Sequence, residues 1–347
     1  MGPVGGPTIR AVSAAASDPV PPSPVAFTEP TPFAVHAIET GDGHRLHVEE
    51  HGAPDGRPLL LLHGGPGSGC SPVLRRSFDL RRWRLICPDQ RGAGRSQPAG
   101  ETRANSTAHL LADLRRLRRA LGIDRWCVIG GSWGATLALL HALDEPQAVD
   151  ALLLRAVFLA RDADVAAFFD GADELAQTCG ALPGEPLAAA LGRCFANNGD
   201  DAAQRATVQA WWAWEQRQQR GAEDPPLPAA FLAAGPADPA AARRRFQIQA
   251  QYLVAGCGLR ERPLLERIRQ APSGWPADLP VTLLHGRADR VCPPTGAEAL
   301  QAALPRLDLR WIDGAGHDPT HPAMAAAMRA ACAELFERPH RGDGSPA

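Results

Sequence analysis

Short apolar runs alternate along this chain with stretches whose hydrophobic positions recur at helical spacing. Arg45 to Glu50 alternates in character like a half-buried strand, and Pro58 to Leu62 is a continuous apolar run that stops at His63-Gly64-Gly65. Trp83 to Cys87 and Trp126 to Ile129 are further short runs, each closed by Pro or Gly. Ala151 to Leu154, Val281 to Leu284 and Leu307 to Ile312 repeat the pattern. Between two of these runs, Leu110, Leu111, Leu114, Leu117 and Leu121 fall on one helical face, with Arg115, Arg116, Arg118 and Arg119 on an opposite face that should be solvated. Buried runs alternating with helices predict an α/β fold, a mainly parallel sheet covered on both sides.

The rhythm breaks at residue 161. From there to residue 274 the chain is Ala-rich, helical in pattern, broken by prolines, and carries Trp211, Trp212 and Trp214 close together. This reads as a helical cap inserted between two strands. The expected organisation is a catalytic α/β domain from residues 33–160 and 275–337, a cap at 161–274, and loose tails at 1–32 and 338–347. The N-terminal tail is rich in Pro, Ala, Ser and Gly and lacks the apolar core of a signal peptide.

Composition narrows the chemistry. The 347 residues carry 36 basic against 38 acidic side chains, a balance that argues against a nucleic-acid partner. No lysine occurs among the basic residues, which removes Schiff-base chemistry, the phosphate-loop lysine and Ser–Lys nucleophile pairs together. Tyr252 is the only tyrosine. Eight cysteines show no C-x-x-C and no Cys/His cluster, so reduced, mostly buried thiols are expected rather than a zinc site or a disulfide framework. No apolar run approaches the roughly 20 residues of a membrane span. The expectation is a cytoplasmic protein with no metal, no cofactor and no membrane or nucleic-acid partner.

The chemical signal sits at strand ends. Gly130-Gly131-Ser132-Trp133-Gly134 fits G-x-S-x-G after a predicted strand and before a helix at Ala135 to Leu143, the setting in which a sharp turn exposes a serine nucleophile. His63-Gly64-Gly65-Pro66-Gly67 follows an earlier strand, and its freed N–H groups, with that of Trp133, can face an oxyanion. For the base, His317 stands on a Gly-rich loop after the last strand, with His321 as its competitor. For the acid, Asp289 follows the penultimate strand, with Asp162 and Asp318 as lesser candidates. Ser132, Asp289 and His317 run in the chain order of an α/β-hydrolase triad. A neutral His317 acting as base implies that activity falls as pH drops through about 6–7.

At these residues the chain resembles the proline iminopeptidase family of α/β-hydrolases. The resemblance rests on HGGPG at His63 to Gly67, DQRGAGRS at Asp89 to Ser96, GGSWGATLAL at Gly130 to Leu139, LLLRAVFL at Leu152 to Leu159 and GRADRVCP at Gly286 to Pro293. It implies a serine aminopeptidase for small peptides, with Ser132 as nucleophile, His317 as base, Asp289 as its partner, and oxyanion N–H groups from Gly65 and Trp133. Trp211-Trp212-Ala213-Trp214-Glu215 resembles the family's W-x-x-W-E segment, which makes Glu215 the group that holds a substrate α-amine. Phe158 and Phe168 fall where the family sets aromatic rings around proline, whereas Trp211 and Trp212 serve equally well as cap core.

One departure stands out. The family's I-E-x-H-Y becomes Ile248-Gln249-Ala250-Gln251-Tyr252, so a second amine-binding carboxylate is replaced by an amide. Ammonium recognition should weaken, which keeps an esterase, lactonase or amidase with an altered cap as the alternative. A non-catalytic binding protein would be expected to have a damaged triad, and every member is present here. A dehalogenase or epoxide hydrolase would need an acidic nucleophile in place of Ser132, and a metallopeptidase would need H-E-x-x-H.

Overall fold

The computed structural model describes residues 31–196, 202–270, 275–276 and 278–338. Most of the two expected tails, and residues 271–274 at the expected end of the cap, lie outside the described residues. One sheet contains β1 (Ala34–Glu39), β2 (Arg45–Gly52), β3 (Arg57–Leu62), β4 (Trp83–Pro88), β5 (Trp126–Gly131), β6 (Val149–Arg155), β7 (Val281–Gly286) and β8 (Asp308–Ile312). Their spatial order is β1-β2-β4-β3-β5-β6-β7-β8. The β1–β2 and β2–β4 pairs are antiparallel, β3 to β8 run parallel to one another, and the sheet is the expected mainly parallel one.

Every predicted run lies in one of these strands, apart from Leu307, which precedes β8 by one residue. The sequence pattern misses β1. This strand sits at the sheet edge, alternates half-buried with exposed residues, and mixes Ala and His into its inward positions, so its apolar signal is thin.

The helices are α1 (Pro72–Arg75), α2 (Thr107–Ala120), α3 (Trp133–Asp144), α4 (Asp162–Phe168), α5 (Asp173–Thr178), α6 (Leu187–Ala196), α7 (Ala202–Gln218), α8 (Ala229–Ala234), α9 (Pro239–Val254), α10 (Leu264–Arg269), α11 (Pro294–Ala303) and α12 (Pro322–Glu337). Alternation along β3 decides which core each residue joins. Leu60 and Leu62 pack with Leu110, Leu114 and Leu137 of α2 and α3 on one face. Leu59 and Leu61 pack with Met324 and Met328 of α12 on the other. Each buried leucine contributes about 1.5–3 kcal/mol, so the central strands hold the sheet together.

The arginine face of α2 is less open than its pattern suggests. Arg118 bonds Glu145 at 3.3 Å and the carbonyls of Ile123 and Asp124, Arg115 pairs with Asp144, and Arg116 reaches back to Asp113. Arg115 and Arg118 latch α2 to the end of α3.

Strand order places the site. From β3 the chain steps outward to β4, then returns across to β5 on the other side, so the loops leaving β3 and β5 diverge and open a crevice at their C-terminal ends. Leu62 lies opposite Gly130 in register, which sets His63 and Ser132 side by side at that crevice. The segment between β6 and β7 runs through α4 to α10 and has an apolar core of its own. There Trp211 is fully buried and stacks on Phe246 at 4.6 Å, beside Phe195 and Leu191.

A buried ion cluster braces the loops of this edge. Glu49 of β2 accepts hydrogen bonds from Arg75 of α1 at 2.8 Å, from His51 at 3.1 Å and from Arg95. Burial alone would raise its pKa, yet Arg95, His51 and Arg75 overcome that and hold it at about 2 against an ordinary 4.5. A depressed carboxylate stabilises the fold above its unfolded-state pKa and loses that contribution as pH falls through the folded value. The stability gap between wild type and Glu49→Gln should therefore be full above pH 4.5 and close as pH falls toward 2. Urea unfolding of both proteins across that range measures it.

Candidate active site

Ser132 caps the N-terminus of α3 with φ 56° and ψ −122°, a left-handed conformation that costs a non-glycine residue about 1–3 kcal/mol. The turn is sharp because α3 begins hard against the sheet. A side chain at Gly134 would collide with the Leu62 carbonyl, and one at Gly130 with the Gly134 carbonyl. The serine amide is tied down by the Arg155 carbonyl at 2.9 Å. The N–H groups of Gly65 and Trp133 find no acceptor among the described residues, so both remain available to a ligand. A side chain on Gly64 would stand 3.4 Å from Ser132 Cβ, which shows how closely the first glycine loop lies over the elbow.

His317 Nδ1 bonds Asp289 Oδ2 at 2.8 Å. The other Asp289 oxygen accepts the amides of Val291 at 2.9 Å and Cys292 at 2.8 Å. Burial pushes the Asp289 pKa up, but the charge and hydrogen bond of His317, with smaller help from His285 and the Cys292 amide, leave it below the usual carboxylate range. The backbone of His317 is also held: its amide donates to the Gln219 carbonyl of the cap at 3.0 Å, and its carbonyl accepts from Arg155 at 2.6 Å. Burial depresses the Arg155 guanidinium. Ser132 Oγ faces the Cys292 thiol at 3.7 Å, and no hydrogen bond joins it to His317 in this resting arrangement. Serine–base bonds of unliganded sites are often loose and tighten with substrate.

The competing residues lie elsewhere. Asp162 is exposed and faces Arg260, Asp318 turns to Thr320, and His321 starts α12 outside the cavity.

Ser132, His317, Gly65, Phe158, Phe168 and Glu215 all line one cavity of about 300 Å³. Trp211 and Trp212 do not, the first stacking in the cap core and the second packing on Phe231.

Comparison with known proteins agrees with this fold. A model of the alpha/beta hydrolase fold matches residues 57–321. The proline iminopeptidase of Xylella fastidiosa strain Temecula1 is 36% identical over 311 residues, 87% of this chain and 96% of that protein. The proline iminopeptidase of Arabidopsis thaliana is 31% identical over 316 residues, covering 86% and 78%. This chain belongs to the proline iminopeptidase family of α/β-hydrolases. Two solved structures share its fold at lower identity. A proline iminopeptidase-related protein from Thermus thermophilus matches with TM-score 0.56 at 24% identity, covering 87% of this chain and 98% of that one. An esterase from a Rhodococcus species matches with TM-score 0.58 at 18% identity, covering 87% and 100%.

The cap side of the cavity departs from what sequence resemblance implied. Gln249 stands beside Glu215, its Nε2 donating to Oε1 at 3.0 Å, but Arg245 also reaches in and donates from Nη2 to Oε2 at 2.6 Å. Sequence reasoning counted one carboxylate lost and missed the cation that Arg245 brings to Glu215. The signal was there: Arg245 precedes Gln249 by four positions on α9, one helical turn, and so shares its face.

The DQRGAGRS segment is also structural in a way its sequence did not reveal. Gln90 receives the Trp133 indole N–H at 3.1 Å, donates its side-chain amide to the His63 carbonyl at 3.0 Å, and donates its backbone N–H to His63 Nε2 at 3.0 Å. His63 is thereby fixed with its proton on Nδ1, facing the Gly64 carbonyl, and burial lowers its pKa and keeps it neutral. Gln90 thus joins the glycine loop of this family member to its elbow. Gln90→Leu strands the buried indole N–H and the His63 carbonyl, and should cost about 1–3 kcal/mol, read as a lowered midpoint in denaturant.

Proposed function

We propose that this chain is a serine aminopeptidase that releases an N-terminal proline, or a similarly small residue, from peptides through an acyl-enzyme. One observation carries the reading. His317 on its bond to Asp289, Ser132 at its strained elbow and the unpaired Gly65 amide line a cavity together with a carboxylate, Glu215, on its cap side, and the second unpaired amide, that of Trp133, follows Ser132 directly. An exopeptidase needs that last group to select a free α-ammonium over an internal peptide.

In this mechanism Ser132 Oγ attacks the carbonyl carbon of the first residue while His317 Nε2 takes the hydroxyl proton. Asp289 holds Nδ1–H and stabilises the imidazolium. The Gly65 and Trp133 amides receive the oxyanion, where each donor is worth about 2.7–4 kcal/mol in comparable sites. Collapse breaks the C–N bond as His317 returns the proton to the departing amine. Water then repeats the sequence on the ester and restores Ser132. Phe158 and Phe168 supply apolar walls suited to a pyrrolidine ring. We place the enzyme in the cytoplasm, on the strength of eight unpaired cysteines.

A second reading, an esterase or amidase on the same scaffold, draws support from Arg245 and Gln249 at Glu215, which leave less free negative charge for an ammonium. Purified protein offered prolyl-naphthylamide and p-nitrophenyl acetate separates the two. Release of naphthylamine is expected, and ester turnover without it would overturn the aminopeptidase reading. Ser132→Ala and Asp289→Asn should each lower kcat by about 10³-fold or more, measured on whichever substrate turns over. A serine-directed phosphonate should inactivate the wild type, and EDTA should leave it active.

A further inference from the structure

Glu215 is already engaged before any substrate arrives. Its Oε2 accepts from Arg245 and its Oε1 from Gln249, and all three side chains line the cavity that contains Ser132. Arg245 is held lightly for a buried-pair partner. Its side chain is 27% exposed against 5% for Glu215, it spends a single N–H on the carboxylate, and its buried Nε has no partner. Beyond that bond it rests 5.0 Å over the Phe246 ring. Gln249 is the reverse case. Its side chain is buried, its N–H is used, and its Oε1 is an acceptor with no donor.

A buried carboxylate needs a cation, and an unpaired buried acceptor is costly. Arg245 meets the first need in the resting protein, from a position that opens toward solvent. Gln249 leaves the second need unmet. A secondary ammonium, which carries one positive charge and two N–H donors, would satisfy both at once by taking the place of Arg245 on Glu215 and donating its other proton to Gln249 Oε1. Net charge in the cavity is unchanged by such an exchange, because one cation replaces another.

We propose that Arg245 is the resident counter-ion of the amine subsite, displaced by the substrate ammonium, and that it is a specificity-determining residue of this enzyme. The inference rests on the aminopeptidase reading and adds the identity of the group the substrate must evict. A substrate whose nitrogen is acylated brings no charge and leaves the Arg245–Glu215 pair closed. A weaker apparent affinity for amines, in return for rejection of neutral ligands, is the consequence.

The test is calorimetric binding of pyrrolidinium chloride to the full chain, with prolyl-naphthylamide kinetics beside it. Arg245→Met should bind pyrrolidinium about five- to tenfold more tightly than wild type, since the competing cation is gone. Arg245→Lys, which keeps a cation, should stay near wild type, and adding Glu215→Gln to Arg245→Met should erase the gain. The arylamide KM should fall with kcat within about twofold, a split that loss of fold would not produce. Arg245→Gln gives a second neutral variant if Arg245→Met does not fold. Pyrrolidinium binding that is unchanged or weaker in the folded neutral variant would overturn the proposal. Tighter pyrrolidinium binding with no arylamide turnover in any variant would leave Arg245 as the counter-ion and remove the aminopeptidase reading instead.

Discussion

The approach of α3 to the end of β3 is the constraint on which the site depends. Gly134 sits under the Leu62 carbonyl with no room for a side chain, so the first turn of the helix is pressed against the sheet. The chain leaving β5 must then reverse within one residue, and Ser132 takes the left-handed conformation that does it. The same closeness brings the glycine loop after β3 over the elbow and leaves the amides of Gly65 and Trp133 without internal acceptors. Strain, exposure of the hydroxyl and empty donors are three results of one contact.

Around that contact, polar groups do the positioning that apolar packing cannot. Gln90 links the elbow and the glycine loop through Trp133 and His63, while Asp89 accepts the amides of Cys70 and Arg95 and so joins the segments on either side. Arg91 grips Asp113 of α2 through two bonds of 2.6 and 2.8 Å. Each buried charge in the set has a partner, which is the condition for keeping it there. These bonds fix orientation, where leucines on a sheet face fix only depth.

The fold and the meeting of the candidate site residues were legible because both follow local rules. Strand runs ended by glycine, and a serine, an aspartate and a histidine placed at successive strand ends, need only the parallel-sheet topology to bring them to one edge. What escaped was set by contacts between distant segments. β1 pairs with β2 alone and lends only Ile38 to the core, so its own sequence carries little apolar signal. The roles of Trp211 and Trp212 depended on which way each ring points, and both turn into the cap or onto its outer helix. Arg245 is one of many arginines in a chain without lysine, and its spacing from Gln249 puts the two on one helix face without saying what that face meets. Only the crossing of α7 and α9 makes it the partner of Glu215.

The inner helix of the cap is anchored unevenly. Near its C-terminal end, Tyr252 sets its ring edge against Trp133 at 5.2 Å and donates its hydroxyl to Asn105, which in turn donates to the Arg91 carbonyl. One and two turns earlier, Gln249 and Arg245 face the cavity. A single rod therefore has one stretch locked to the Ser132 elbow through Trp133 and another presented to the cavity. Side chains along two turns of such a helix are free to drift without moving Ser132, because the Tyr252 end stays pinned against Trp133 and Asn105.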